Sequence, residues 1–402
     1  MIGRRAALVA AAGVLAGAGV APDAWRVRAK RWIAPIRAAA AALDGPGLIG
    51  SYVVGRGAGA SAFDRVQANA AFTYDNALAG LALLAAGEPD LASYLGEALQ
   101  IGQRGDRRGF TGRVRNAYQP GRMTDPPKLA GWWDRSAARW LEDPYQTGTS
   151  SGVLAWAMLL WQALDRAAGG SHFAEAQVRA ARWLAGQRLA SGFSGGVLGD
   201  GGGALRFAST EENLDIGVAL RHLGEKTLAG HALFFVRSMW NPEQGRFDAG
   251  LTPAGKRNFL VAADANLWPQ IAAGMPPDLR PALHFVLTRL GQRHGTLSGI
   301  GFSAGFPGIW LEGTAFAALA LRLAGNDAMA ERFAATLRAE TSPGGFLYAC
   351  STPSLGTGLA TGGPGSKPFL YWRRPALAPT AWAVLASLQT SPFGAALPPA
   401  AV

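Results

Sequence analysis

Residues 74–87 read YDNALAGLALLAAG: a short polar cluster, Tyr74-Asp75-Asn76, runs straight into an Ala/Leu stretch of helical length. The same junction recurs at Glu142-Asp143-Pro144-Tyr145-Gln146 before TSSGVLAWAMLLWQAL and at Ser209-Thr210-Glu211-Glu212-Asn213 before LDIGVALRHLG. It returns at Asp264-Ala265-Asn266 before LWPQIAAG, Glu312-Gly313-Thr314 before AFAALALRLAG, and Pro379-Thr380 before AWAVLASLQ. Helices of this composition are apolar on nearly every face, so each has to be walled in by protein. Such a helix has no solvent face for a carboxylate except at its ends. If the six point the same way, their acidic N-termini gather at one mouth.

Between them lie segments of different character. In 174–190, AEAQVRAARWLAGQRLA, the spacing puts Ala174, Val178, Ala181 and Leu184 on one face and Glu175, Arg179 and Arg182 on the other, the pattern of a surface helix. Similar stretches occur near 30–43, 92–103, 226–240, 278–292 and 327–339. One outer helix alternates with one inner helix, a repeat that implies a solenoid or a closed ring. An open array would expose the apolar helices, so the expected fold is all-α, an (α/α)6 toroid. Its inner ring is predicted at 75–87, 149–164, 211–223, 264–274, 312–325 and 379–389. Strand signals are short and confined to Gly-aromatic connectors such as Gly192-Phe193, Gly245-Arg246-Phe247 and Gly345-Phe346, which read as structural turns.

Charged residues make up 16% of the 402 and apolar ones 49%, ample for one large core, and no polar linker divides the chain. The toroid is expected over 30–390, with 391–402 as a frayed tail. The net charge of +11 comes from scattered Arg without a basic stripe, which argues against nucleic-acid binding. Arg113, Arg115, Arg206, Arg373 and Arg374 fall in candidate mouth loops and are of interest for an anionic substrate. A single cysteine, Cys350, excludes an intramolecular disulfide, and the five histidines show no ligand spacing, so no metal is expected. Residues 1–21, MIGRRAALVAAAGVLAGAGVA, carry a charged, an apolar and a small-residue zone in the order of a signal peptide, with a twin Arg. The expectation is export to the periplasm or beyond with cleavage near Ala18; an uncleaved inner-membrane anchor is the alternative. No later segment is long and apolar enough for a stable membrane span.

Acids in a first helical turn are stabilised by the helix dipole and need no catalytic purpose. Their repetition on five of the six inner openings is what points to a shared cavity. Glycoside hydrolysis needs two carboxyl groups, one protonated and one ionised, and acids that converge raise one another's pKa. Glu211 is read as general acid, since the Ser209-Thr210 cap fixes it and Glu212 discourages its ionisation. Asp264 is read as general base, and Glu312 can exchange roles with either. Asp75, Asp143 and Tyr145 are assigned to hydroxyl binding, with Asn76, Gln146, Glu212 and Asn213 beside them. Asp215, one turn after Glu211, is read as a support residue. Trp132, Trp133, Trp268, Trp310, Tyr371 and Trp372 supply candidate stacking faces for sugars, and Asp134 follows the Trp pair in its connector.

With its YDNALA, EDPYQTGT, STEENLD and WLEGTA openings, the chain resembles bacterial members of the six-hairpin glycosidase superfamily over roughly residues 30–390. The resemblance implies a toroid that binds carbohydrate in a cleft lined by inner-helix N-termini, needs no organic cofactor and often inverts the anomeric centre. A polysaccharide lyase or sugar epimerase on the same toroid is the alternative enzyme. Those chemistries commonly use His or Tyr as base, and the histidines avoid the six openings, whereas Tyr74, Tyr145 and Tyr371 do not. A non-catalytic carbohydrate-binding protein of an exopolysaccharide system would keep the aromatics without needing a proton-donor pair. Terpene cyclisation wants an Asp-rich motif such as DxDD, which is absent.

Overall fold

The computed structural model describes residues 22–55, 57–109, 111–201, 203–272, 281–360 and 368–394; the expected signal peptide and its cleavage site lie outside them. In chain order the helices are α1 (Pro22–Ala41), α2 (Ala62–Gln67), α3 (Thr73–Ala85), α4 (Pro89–Arg104), α5 (Pro144–Thr147), α6 (Ser151–Ala168) and α7 (Ala174–Ala185). They continue with α8 (Thr210–Leu223), α9 (Lys226–Ser238), α10 (Ala263–Ile271), α11 (Pro281–Arg289), α12 (Leu311–Leu323), α13 (Asp327–Ala339) and α14 (Leu377–Leu388). Helices α3, α6, α8, α10, α12 and α14 pack each on the next, and α14 returns to α3, closing the ring. The outer helices α1, α4, α7, α9, α11 and α13 each pack on the ring from outside. The chain is therefore the all-α (α/α)6 toroid that the alternation implied, and each predicted inner stretch overlaps an inner-ring helix, residues 273–274 lying outside the described ones.

The two ends of the toroid differ. Connectors from an inner to the following outer helix are short where described, as at Gly224-Glu225, where Gly224 ends α8 in the left-handed conformation. Connectors from an outer to the next inner helix are long and hold all the described strands. Among these are the hairpins Trp132–Asp134 with Arg139–Leu141 and Ser354–Ala360 with Pro368–Trp372. The inner-helix N-termini thus open into the end that carries the elaborate loops.

One device recurs at these openings. The fourth residue of α8, Asn213, accepts the Phe193 N–H at 2.7 Å through Oδ1 and donates through Nδ2 to Phe193 O and Ser209 O. Asn76 binds Ile49 and Phe72 in the same way, and Asn266 binds Phe247 and Ala262. Thr314 and Thr380, also fourth in their helices, accept from Ile300 N and Leu347 N and donate back to Trp310 O and Ala376 O. Each connector's buried apolar residue is thereby tied to the helix it precedes. At α6 the bridge runs in reverse: Asn116 in the connector accepts from Ser150 N at 2.7 Å and donates to Tyr145 O at 2.8 Å.

The bore is filled with aromatic rings from different inner helices: Tyr74, Trp156, Trp268, Phe316 and Trp382. Two expectations need correction. The chain does not fray at 391: Ser391 donates to Ile271 O at 2.7 Å, and fully buried Phe393 packs 5.3 Å from Trp156 and 5.9 Å from Trp268. The toroid leaves a hole at its axis, and Phe393 fills it from below; residues 395–402 lie outside the described ones. On α7 the buried stripe runs through Ala176, Gln177, Ala180, Ala181 and Leu184, and Val178 is 40% exposed. Alanines on both flanks made more than one stripe plausible, and packing against α6 chose.

Removing a bridging amide leaves a buried backbone N–H without a partner, a cost of about 1–3 kcal/mol. Asn266→Ala is expected to lower the melting temperature by about 1–4 °C. Calorimetry showing a change below about 1 °C would mean the bridge is dispensable.

Candidate active site

Six carboxyl groups gather at the mouth: Asp75 from α3, Glu211, Glu212 and Asp215 from α8, Asp264 from α10 and Glu312 from α12. The Glu211 and Asp264 carboxyls share a hydrogen bond, and the Ala265 N–H donates to Asp264 at 2.7 Å. The Tyr74 hydroxyl donates to Glu312 at 2.6 Å while accepting from the Trp382 indole at 2.8 Å. The Ser150 hydroxyl donates to Glu212 at 2.6 Å. Gly152 lets α6 and α8 approach there, since a Cβ would come within 2.8 Å of Glu212 Cγ and 3.2 Å of Asp215 Oδ2. Tyr145, on α5 ahead of α6, lies near Glu212, Glu211 and Asp75 and is 42% exposed at the mouth. Tyr52 and Tyr371 face Glu312 from the opposite connectors.

Among the described residues no ion pair joins any of the six to Arg, Lys or His. Burial therefore acts unopposed by cations and pushes the carboxyl pKa values up. Asp75 rises to about 7 against a hydrogen bond from Ser51, and Glu212 to about 7 against the one from Ser150. Glu312 rises to about 8, through burial and the charges of Asp75 and Asp264, although Tyr74 and Trp382 favour its ionised form. Burial and the Asp264 charge lift Glu211 well above the carboxylate range, so Glu211 holds the shared proton. Asp264 is also raised by burial, but it accepts from Glu211 and Ala265 and is the ionised member of the pair.

Of the expected site residues, Asp75, Tyr145, Glu211, Glu212, Asp264, Glu312 and Tyr371 come together. Glu211 and Asp264 touch, however, whereas an acid and base that face each other across a glycosidic bond stand about 5 Å or more apart. They form one proton-sharing unit. Asn76 and Asn213 are fully buried in the backbone bridges and are structural. Asp143 caps α5, accepting from Tyr145 N and Gln146 N, while Asp134 accepts Ala137 N in its hairpin turn. Buried Gln146 donates to Gln67 at 3.5 Å. Trp268 belongs to the aromatic floor, and Trp310 packs between Phe302, Phe316 and Tyr371. Trp372 points the other way from Tyr371 and packs on Phe63. Trp132 is half-buried, and Trp133 is 59% exposed, opposite Trp140 on the hairpin.

The mouth-loop arginines do not face the carboxyl ring. Arg113 and Arg115 are buried against Asp106 and Asp200, Arg373 pairs with Glu340 and Arg374 with Asp64, while Arg206 is exposed. The histidines are remote as well. His222 is at the far end of α8, His231 lies against Leu189 O and Gly192 O, and His172, His284 and His294 are exposed. Among the described residues no group of three or more His, Cys, Asp or Glu is arranged to hold a metal ion. The sequence reading missed Tyr52, which sits in a connector without a motif. Asp215, read as a support residue, is buried beside Trp156 of the neighbouring helix α6.

No protein-family model matches the sequence, and no curated protein matches it. Solved structures match in shape. A wild-type glycosidase aligns with TM-score 0.61 at 12% identity, covering 92% of this chain and 99% of that one. A D-mannose isomerase aligns with TM-score 0.61 at 9% identity, over 92% and 97%. A sugar epimerase from a ruminal bacterium aligns with TM-score 0.57 at 12% identity, over 90% and 98%. These likenesses are of fold, and the fold is the one the six-hairpin resemblance implied. No helix among the described residues is long and apolar enough to cross a membrane.

The raised carboxyls make stability depend on pH with a sign opposite to that of salt-bridged acids. Asp75, Glu212 and Glu312 titrate near 7–8 in the folded protein and near 4 when unfolded. Between these values the folded state binds more protons, so stability falls as pH rises. His222, lowered to about 4 by burial, works the other way only below about pH 6.5. The melting temperature is therefore expected to drop from about pH 6.5 to 8.5, and Glu312→Gln to reduce the drop. A flat or rising profile in that window would contradict the cluster's electrostatics.

Proposed function

We propose that this protein is a carbohydrate-active enzyme, specifically a glycoside hydrolase working with two carboxyl groups. The observation that carries the reading is a ring of six carboxyls and four tyrosines that meets no cation among the described residues, with one carboxyl held protonated beside an ionised one. Glu211 is the general acid: its protonated carboxyl donates to Asp264 and passes its proton to the glycosidic oxygen as the bond breaks. Glu312, oriented by Tyr74 and Trp382, takes a proton from the attacking water. Asp75, Glu212, Asp215, Tyr52, Tyr145 and Tyr371 are left for sugar hydroxyls. Attack by water on the face opposite the acid inverts the anomeric centre.

A glycosidase of this fold has been solved with glucose bound, which supports a sugar in this mouth. The isomerase and epimerase neighbours keep a second chemistry in view. For this chain a proton would have to be moved without histidine, because all five histidines lie away from the carboxyl ring. That no Arg, Lys or His among the described residues pairs with the carboxyl ring likewise favours neutral sugars over uronic acids.

Glu211→Gln is expected to lower kcat by about 10²–10⁴ with ligand binding retained. Wild-type kcat/KM should rise as pH passes about 8, where Glu312 ionises, and fall again only where Glu211 loses its proton. The assay is a panel of neutral oligo- and polysaccharides, with products read by mass and the first-formed anomer by NMR. Unsaturated or isomerised products, or a Glu211→Gln variant within tenfold of wild type, would overturn the assignment.

A further inference from the structure

The oxygens of the carboxyl ring are unequally served with hydrogen-bond donors, and the difference bears on which sugar the proposed glycosidase takes; the inference rests on that reading. Glu211 and Asp264 occupy each other, and the Ala265 N–H adds a donor to Asp264. Glu312 accepts from Tyr74, Asp75 from Ser51, and Glu212 from Ser150 through Oε1 alone. Two buried oxygens of the ring have no hydrogen-bond partner among the described residues: Glu212 Oε2 and Asp215 Oδ1.

These two acids share one flank of α8, because residues three apart in a helix are neighbours. That flank packs on α6 at Gly152, where a Cβ would come within 2.8 Å of Glu212 Cγ and 3.2 Å of Asp215 Oδ2. Asp215 is 2% exposed and feels the charges of both Glu212 and Asp264, so it belongs to the ring and not to the surface. Glu212 is half-buried and reaches the mouth near Tyr145. Its carboxyl turns easily about the last side-chain bond, a soft torsion, and can offer an oxygen to the mouth.

An unmet buried acceptor costs free energy, and two on adjacent carboxyls repel each other as well. Bound protons relieve this in the free protein: burial lifts Glu212 to about 7, and burial with the Glu212 charge lifts Asp215 well above the carboxylate range. A ligand that displaces those protons has to bring donors and positive charge together. A hydroxyl donates once and an N-acetyl group has one N–H, both without charge, whereas an ammonium group donates three times and neutralises a carboxylate.

We propose that the substrate is a glycoside of an amino sugar, whose free ammonium group pairs with Glu212 while Asp215 behind it supplies a second negative charge. Asp75 and the tyrosines then take the hydroxyls.

The test measures binding to the full-length Glu211→Gln variant by calorimetry, so it is independent of turnover. Methyl glycosides of glucosamine, galactosamine and mannosamine are compared with their N-acetylated counterparts and with the sugars that carry a hydroxyl in place of the amine. At about pH 6 such an amine is charged. At least one amino sugar should then bind about tenfold or more tightly than both counterparts, since a charge-assisted hydrogen bond is roughly twice as strong as a neutral one. Its binding should release protons, read from the change in measured heat between buffers of different ionisation enthalpy. Adding Glu212→Gln, which keeps the shape and removes the charge, should abolish the gain, and Asp215→Asn should reduce it. Melting temperatures show that each variant is folded, and either one alone decides if the other is not. Equal binding of amino and hydroxyl forms in all three series, or a gain that survives the substitutions, overturns the proposal. So does methylammonium chloride binding as tightly as the amino sugar, which makes the acids a general cation site. Failure of the hydrolase reading appears separately, in the product assay on wild-type protein.

Discussion

The bridge between the fourth residue of an inner helix and the connector before it is the constraint on which this molecule depends. An inner helix surrounded by protein can slide and rotate among apolar neighbours at little cost, because hydrophobic contacts are not directional. A side-chain amide or hydroxyl that satisfies a buried backbone N–H and C=O removes that freedom. Asn76, Asn213, Asn266, Thr314 and Thr380 each do so. The acids sit immediately beside them: Asp75 before Asn76, Glu212 before Asn213, Asp264 and Glu312 two positions earlier than their partners. Fixing the bridge fixes where the carboxyl stands.

Once the helix ends are fixed, the carboxyls have nowhere to go but toward one another. Their mutual repulsion and their burial are unfavourable, and the protein retains them by letting protons stay bound. The aromatic floor of Tyr74, Trp156, Trp268 and Trp382 keeps water from entering below, which maintains the low dielectric that raises the pKa values. Phe393 completes that floor from the far side, so the segment just past α14 is part of the packing beneath the carboxyls. The stability given up at the mouth is the consequence of gathering buried acids that no cation neutralises.

A general division of labour follows from the unequal ends. The short connectors hold the helices antiparallel and do little else. Long connectors carry the hairpins and three of the four site tyrosines. The fold sets the floor and the carboxyl ring, whereas the loops set what can approach it, so two toroids with similar rings can differ in substrate through their connectors alone.

Composition and periodicity were enough to determine the toroid: helices apolar on every side must be enclosed, and six alternations with amphipathic partners close only as a ring. Acids at the inner openings were legible for the same reason, since such helices tolerate charge at their ends. Which polar residue at an opening faces the cavity was not legible. Asn76 and Asn213 adjoin the acids in sequence yet point into the connectors, because the helix turns about 100° per residue and local sequence does not reveal where the connector returns. Tyr52 belongs to the site only because its loop folds back over α14, and Trp268 and Trp310 left it because neighbouring helices covered them. The contact between Glu211 and Asp264, on different helices, was likewise decided by packing. Sequence determined which groups the helix ends could carry; tertiary structure decided which of them met, because the distances that shift a proton are set between segments remote in the chain.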